Sequence, residues 1–72
     1  MNATILIMKL DPNGVPRAWA TGPKSEEVEV RALADRNLEI YRERKREVND
    51  PLAVAVFTEK VCLAHEAGWE QA

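Results

Sequence analysis

The chain has 72 residues, of which 46% are hydrophobic and 31% are charged, and its formal net charge is −2. This composition is typical of one small globular domain and excludes both a disordered chain and a strongly basic one. The longest apolar run, residues 52–57, is far shorter than the roughly 20 residues that cross a bilayer.

Cys62 is the single cysteine, so no internal disulfide can stabilise this short chain. A lone thiol fits a reducing compartment, and the first ten residues lack the basic start and the cleavage site of a signal peptide. We therefore expect a cytoplasmic protein of one domain, residues 1–72, without a membrane segment. Because so small a domain buries a limited fraction of its surface, we also expect it to gain burial by association.

Residues 3–10, ATILIMKL, predict a strand, because β-branched and large apolar side chains favour strands. The DPNG sequence that follows predicts a type I turn, with Gly14 in the left-handed conformation that closes a hairpin through a bulge. Residues 15–20 are then the returning strand. Pro16 has no amide hydrogen to give to a ladder, so this strand is expected at a sheet edge.

Ser25 is the predicted N-cap of a helix that continues to about residue 48, with Glu26 and Glu27 near the positive end of its dipole. The apolar residues of this helix fall on one arc of a helical wheel: Val30, Leu33, Ala34, Leu38, Ile40, Tyr41 and Val48. Asn37 lies in the middle of that arc, where a side-chain amide needs hydrogen-bond partners. It could pair across a helix–helix dimer or cap a main-chain group of the hairpin.

Residues 51–67 are predicted as a second helix, with Asp50 as its N-cap, Pro51 at its first position and Gly68 as its end. Its β-branched residues weaken this prediction, and residues 52–57 taken alone fit either a helix or a strand. The expected fold is therefore an α+β domain, an N-terminal β-hairpin followed by two helices (ββαα).

The predicted first strand is apolar on both faces, which implies a second cover. A strand with water on one side alternates apolar and polar residues, and a two-stranded hairpin is marginal alone. We therefore expect a twofold homodimer in which the first strands pair within a four-stranded intersubunit sheet. The expected interface residues are Ile5, Leu6, Ile7, Met8, Asn37, Val54 and Phe57.

Residues 42–46, RERKR, concentrate four cations in an acidic chain. These cations alternate with glutamates and lie in the last turns of the predicted helix, which favours a solvated helix end over a phosphate-binding patch. Arg44 lies near the apolar arc, where it could reach an interface. Trp19, beside Arg17 on the edge strand, could fill the sheet–helix core or act as a contact anchor.

The sequence gives little support for a catalytic site or a metal site. Cys62 and His65 would share one helical face, but a zinc site needs about four ligands, and the chain has one cysteine and one histidine. It carries no Gly-rich phosphate loop and no carboxylate pair in an apolar setting. We expect no catalytic residue, no metal and no cofactor.

The sequence thus predicts a non-enzymatic homodimer that binds a protein partner or serves as an accessory regulatory subunit. The candidate contact residues are Arg17, Trp19, Arg42, Arg44 and Arg46. The alternative is a nucleic-acid-binding dimer that uses the basic end of the first helix, residues 42–46.

Overall fold

A computed structural model of the protein describes residues 3–65 and 68–71, which form an α+β fold of one antiparallel sheet and one long helix. The strands are β1 (Thr4–Leu10), β2 (Pro16–Pro23), β3 (Thr58–His65) and β4 (Gly68–Gln71), and the helix α1 spans Glu27–Glu47. Short 3-10 turns cover Lys24–Glu26 and Pro51–Ala53. The sheet order is β2-β1-β3-β4. Within the described residues, no helix is apolar over enough of its length to cross a membrane.

The hairpin forms as its turn residues predict. The Gly14 amide donates to the Asp11 carbonyl at 2.9 Å, and Gly14 has a φ of 79°. The register between β1 and β2 shifts between Lys9 and Leu10, as expected for a bulge. The prediction of an edge position for β2 is confirmed, although the strand extends to Pro23 and is longer than predicted.

The helix α1 ends where its sequence predicts but begins differently. Ser25 lies within the first 3-10 turn, and no side chain caps the helix start. At the other end Asn49 has a φ of 57°, and its amide donates to the Arg46 carbonyl. The Asp50 amide donates to the Lys45 carbonyl at 2.9 Å, so the two bonds form a Schellman motif.

The core lies between α1 and one face of the sheet. Its buried cluster consists of Ile5, Ile7, Ala20, Val30 and Ala34, with Val61 and Leu63 packed against it. Small residues of β2 allow the helix to approach closely, and Gly22 marks the tightest contact. A Cβ placed on Gly22 would lie 2.8 Å from Val30 Cγ2.

The predicted second helix is wrong over residues 51–65, and its last two residues, 66 and 67, lie outside the described part of the chain. The Asp50 carboxylate does cap, accepting from the Leu52 amide at 2.9 Å, but it caps only the 3-10 turn Pro51–Ala53. Residues 58–65 then form β3, and Gly68 begins β4 where it was expected to end a helix. Residues 58–65 form a strand because β1 offers them a free edge to pair with, whereas Val54 and Val56 lie outside any strand, in the segment before β3.

The prediction of an intersubunit sheet is also wrong, because β1 is a central strand whose two edges are both paired within the chain. It pairs with β2 from Thr4↔Pro23 to Leu10↔Pro16, and with β3 from Thr4↔Ala64 to Leu10↔Thr58. The sheet does reach four strands, but all four come from one chain. A symmetry mate therefore has no edge of β1 to pair with.

The predicted interface residues are dispersed by this arrangement. Ile5 and Ile7 are buried beneath α1, with 1% and 0% exposure, and cannot contact a second copy. Phe57 packs within the chain, 6.1 Å from the Tyr41 ring between centroids. Val54 is exposed in the segment before β3. Leu6 and Met8 lie on the sheet face opposite α1 and are partly exposed.

A cluster of ion pairs joins α1 to the sheet. Lys9 on β1 contacts Asp35 on the helix and Glu59 on β3, and Glu59 also pairs with Arg31 at 3.2 Å. Burial disfavours the Lys9 ammonium, but its hydrogen bonds to Asp35 and Glu59 outweigh this effect and raise the pKa of Lys9. The cluster links the helix to β1 and β3.

The close contact at Gly22 predicts a coupled pair of substitutions. Gly22→Ala should destabilise the fold by about 1–3 kcal/mol, because the new methyl group overlaps the buried Val30 side chain. In Val30→Ala the overlapping atom is absent, so the double variant should be no less stable than Val30→Ala alone. Urea denaturation of the four proteins measures this coupling. Simple additivity of the two losses would contradict the proposed contact.

Candidate binding site

A groove of about 260 Å³ lies between the edge strand β2 and the second half of α1. We call it the β2–α1 groove. It is lined by Arg17, Ala18, Trp19, Asn37, Ile40, Tyr41 and Arg44. The strand contributes one wall and successive turns of the helix contribute the other, so the register of β2 decides which residues face each other.

Arg17 is held in place by a buried carboxylate. Asp11 is 3% exposed, and one of its oxygens accepts from the Asn13 and Val15 amides at 2.8 and 3.0 Å. Its other oxygen, Oδ2, accepts from Arg17 Nε at 2.9 Å. Only one of the three guanidinium nitrogens is used in this way. The turn that builds the hairpin therefore also orients the Arg17 guanidinium.

Asn37 connects the two walls. Its Nδ2 donates to the Trp19 carbonyl at 2.9 Å, so the amide bonds a main-chain group of the edge strand, as in the second of its two predicted roles. This bond occupies an acceptor of β2, and Pro16 and Pro23 lie at the two ends of the strand. Together these features oppose pairing of another strand with the edge of β2.

Tyr41 lies on the helix wall with an unusual hydroxyl group. The ring contacts Phe57, and Lys45 Nζ lies 5.4 Å from the ring centroid. The hydroxyl is buried, yet it makes no hydrogen bond to any described residue. Buried polar atoms are nearly always paired, so this oxygen marks a point in the groove wall where a polar partner is needed.

The remaining residues of the helix wall are exposed. Ile40 is 43% exposed, and Arg44 makes no hydrogen bond or ion pair with the described residues. On the strand side, Trp19 is 54% exposed and lies outside the sheet–helix core. The groove thus places a guanidinium group and an exposed apolar side chain on each wall.

Three of the five predicted contact residues, Arg17, Trp19 and Arg44, come together in the β2–α1 groove. Arg42 does not join them. It lies 4.9 Å from the Phe57 ring centroid and donates to the Ala53 carbonyl at 3.0 Å, so it fastens the segment before β3 to the helix. Arg46 is exposed and lies away from the groove.

A second surface lies on the sheet face opposite α1, which we call the open face. The strand registers place Leu6 and Met8 of β1 beside Trp19 of β2 on this face, and Cys62 of β3 lies next to Leu6. A shallow depression of about 230 Å³ is lined by Leu6, Met8, Pro16 and Trp19. Trp19 therefore borders both the open face and the β2–α1 groove.

Sequence reasoning missed the two polar groups that shape the groove, Asp11 and the Tyr41 hydroxyl. Asp11 begins a turn, and aspartates at that position commonly accept from the following amides, so its role had a detectable signal. Tyr41 was placed on the apolar arc by its helical position. Nothing local indicates that its hydroxyl group would be unpaired.

Metal binding gains no support from the structure. Among the residues described, no three histidine, cysteine, aspartate or glutamate side chains group together in a way that could hold an ion. Cys62 and His65 belong to the strand β3, so the helix that would have put them on one face is absent. Cys62 is a buried free thiol.

Comparison with protein-family models, with curated proteins and with solved structures gave no match.

The buried carboxylate predicts a pH-dependent contribution to stability. The hydrogen bond from the Val15 amide, together with Arg17 and the Asn13 amide, lowers the pKa of Asp11 below its usual 3.8, against the opposing effect of burial. Such a group stabilises the fold above its unfolded pKa and loses this contribution as the pH falls through its folded pKa. Asp11→Asn should thus be less stable than the wild type at pH 7, and the difference should shrink as the pH falls below about 3.8.

Urea denaturation at a series of pH values, followed by tryptophan fluorescence, measures the difference. Glu29→Gln is the matched control, because Glu29 is exposed and pairs with none of the described residues. A stability difference between Asp11→Asn and the wild type that stays constant with pH would contradict the prediction.

Proposed function

We propose that the protein is a non-catalytic binding protein that acts as a homodimer and presents one β2–α1 groove per copy to a protein partner. The observation that carries the proposal is the apolar open face, which α1 leaves uncovered. Two copies associate through these faces, in place of the strand pairing that the occupied edges of β1 prevent.

The side chains of the open face support association. An antiparallel sheet that faces water on one side carries polar residues there, whereas this face carries Leu6, Met8 and Trp19 at adjacent positions. Lys60 is the one charged residue that the β1–β3 register adds to it in the described part of the chain. A face with so little charge brings little repulsion to a twofold contact between identical surfaces.

The size of the open face also suits a second copy. The seven residues of β1, at about 3.3 Å each, and three strands about 4.8 Å apart define a footprint of roughly 300 Å². Two such footprints together amount to roughly 600 Å², which places the contact among the weak or transient interfaces, below about 1,200 Å². The result is a four-layer dimer, helix–sheet–sheet–helix, held with modest affinity.

The nucleic-acid alternative is less well supported by the positions of the cations. Arg42 and Lys45 are engaged with Ala53 and Asp50 of the same chain. Arg44 and Arg46 are exposed, but residues two apart on a helix point in different directions and do not form one patch. The basic segment is thus divided between internal contacts and separate outward positions.

The dimer is tested by charging the open face. The wild type should sediment as a concentration-dependent dimer, and Met8→Lys should shift it to a monomer, because the new ammonium would be desolvated beside Lys60 in the interface. The variant should keep its helical circular dichroism, since Met8 is already partly exposed in the single chain.

Val28→Lys is the matched control, because Val28 is 77% exposed on α1, away from the sheet. It should sediment like the wild type. A wild type that remains monomeric from roughly 1 μM to 1 mM would overturn the proposed dimer. Dimerisation that survives both Met8→Lys and Leu6→Lys would place the interface elsewhere.

A further inference from the structure

We propose that the β2–α1 groove binds an acidic segment of a protein partner, with a carboxylate between Arg17 and Arg44 and a neighbouring apolar side chain against Trp19 and Ile40. This inference rests on the proposed role in protein binding and names the chemistry of the ligand. The carboxylate contact does not require the homodimer, because the two arginines line the groove and not the depression on the open face; Trp19 is the one residue that borders both surfaces.

The donors of the groove suit a carboxylate. Arg17 uses Nε to hold Asp11, and its two terminal nitrogens make no hydrogen bond to the described residues. Arg44, on the opposite wall, has no described partner for any of its nitrogens. Guanidinium groups bind carboxylates through paired, charge-assisted hydrogen bonds, and the Asp11 contact fixes one of them in advance.

The Tyr41 hydroxyl supplies an independent indication of a polar ligand. Tyr41 lines the same groove, and its hydroxyl is buried without a described hydrogen-bond partner. A carboxylate oxygen that enters between the arginines would give this hydroxyl an acceptor after a small side-chain adjustment. Satisfying a buried donor adds to affinity because its desolvation has already occurred in the free protein.

The apolar residues of the groove favour a ligand that has a large apolar side chain next to its acidic one. Trp19 and Ile40 are 54% and 43% exposed and lie on opposite walls. Exposed tryptophan beside arginine is the composition of protein-contact anchors, which bury an apolar group within a polar rim. A ligand that carries both an acid and a large apolar side chain, such as Asp or Glu next to Leu or Phe, fits all four residues.

Charge around the groove favours a single carboxylate over a phosphate backbone. Glu43 and Glu47 are exposed on the same part of α1 as Arg44, and the chain as a whole carries a net charge of −2. A polyanion that followed the helix would have to pass these carboxylates, whereas one acidic side chain inserted between two arginines would not.

The experiment is selection of short random peptides displayed on phage against the immobilised wild-type protein. The enriched peptides should carry Asp or Glu next to a large apolar residue. A synthetic copy of one enriched peptide, labelled with a fluorophore, is then titrated by fluorescence polarisation. Its affinity should fall as salt increases, because the contact depends on charge.

The test variants separate binding from folding. Arg44→Ala removes a side chain without a described partner, so it should fold normally and weaken the peptide by about ten- to a hundredfold. Arg17→Ala should weaken it similarly but leaves Asp11 buried and unpaired, so its stability is measured as well. Arg46→Ala, exposed on the same helix and outside the groove, should bind like the wild type.

Three results would overturn the inference. Enriched peptides without acidic residues, or a peptide whose affinity Arg44→Ala leaves unchanged, would overturn the inference. So would binding of single-stranded oligothymidylate at low salt that Arg44→Ala abolishes while no peptide is enriched. Sedimentation of Arg44→Ala should show the wild-type association state, so failure of the ligand inference and failure of the dimer are seen separately.

Discussion

The fold depends on β1, a strand that is apolar on both faces and paired at both edges. Ile5 and Ile7 on one face form the centre of the core with α1, while Leu6 and Met8 on the other face meet no helix. One helix can cover only one face of a sheet. The chain therefore satisfies the hydrogen-bonding groups of β1 completely and its apolar surface only in part, and the uncovered part is the basis of the proposed association.

The groove arises from the same packing of α1 on the sheet. Side chains on the helix-facing side of β2 are small, with Gly22, Ala20 and Ala18 in succession, so the helix lies close to the strand near Val30. Near Trp19 the helix presents larger residues to the strand. Asn37 donates to the Trp19 carbonyl, and Tyr41 lines the β2–α1 groove. A close contact at one end of the strand and a groove at the other follow from one pattern of side-chain size.

The features predicted correctly are those that depend on residues close together in the sequence. The hairpin turn, the edge position of Pro16 and the end of α1 depend on a few adjacent residues, and all three are confirmed. The helix predicted over residues 51–65 is wrong because the cap at Asp50 also starts a 3-10 turn, and because the pairing partner of β3 lies about 50 residues earlier in the chain. The apolar second face of β1 led to the prediction of a second cover, which stays a prediction, but it could not show that β3 would pair with the second edge of β1.

The residues of the candidate site could be predicted from the sequence, but their proximity could not. Arg17, Trp19 and Arg44 could each be singled out by residue type, yet their proximity follows from the register of β2 against α1, which is a tertiary property. Arg42 and Arg44 are chemically identical and two residues apart, but Arg42 contacts the Phe57 ring while Arg44 lines the groove.

Trp19 links the two proposed surfaces, since it borders both the open face and the β2–α1 groove. In the dimer, a second copy packed on the open face would restrict the Trp19 ring and so fix one wall of the groove, which lowers the entropy that a ligand must lose on binding.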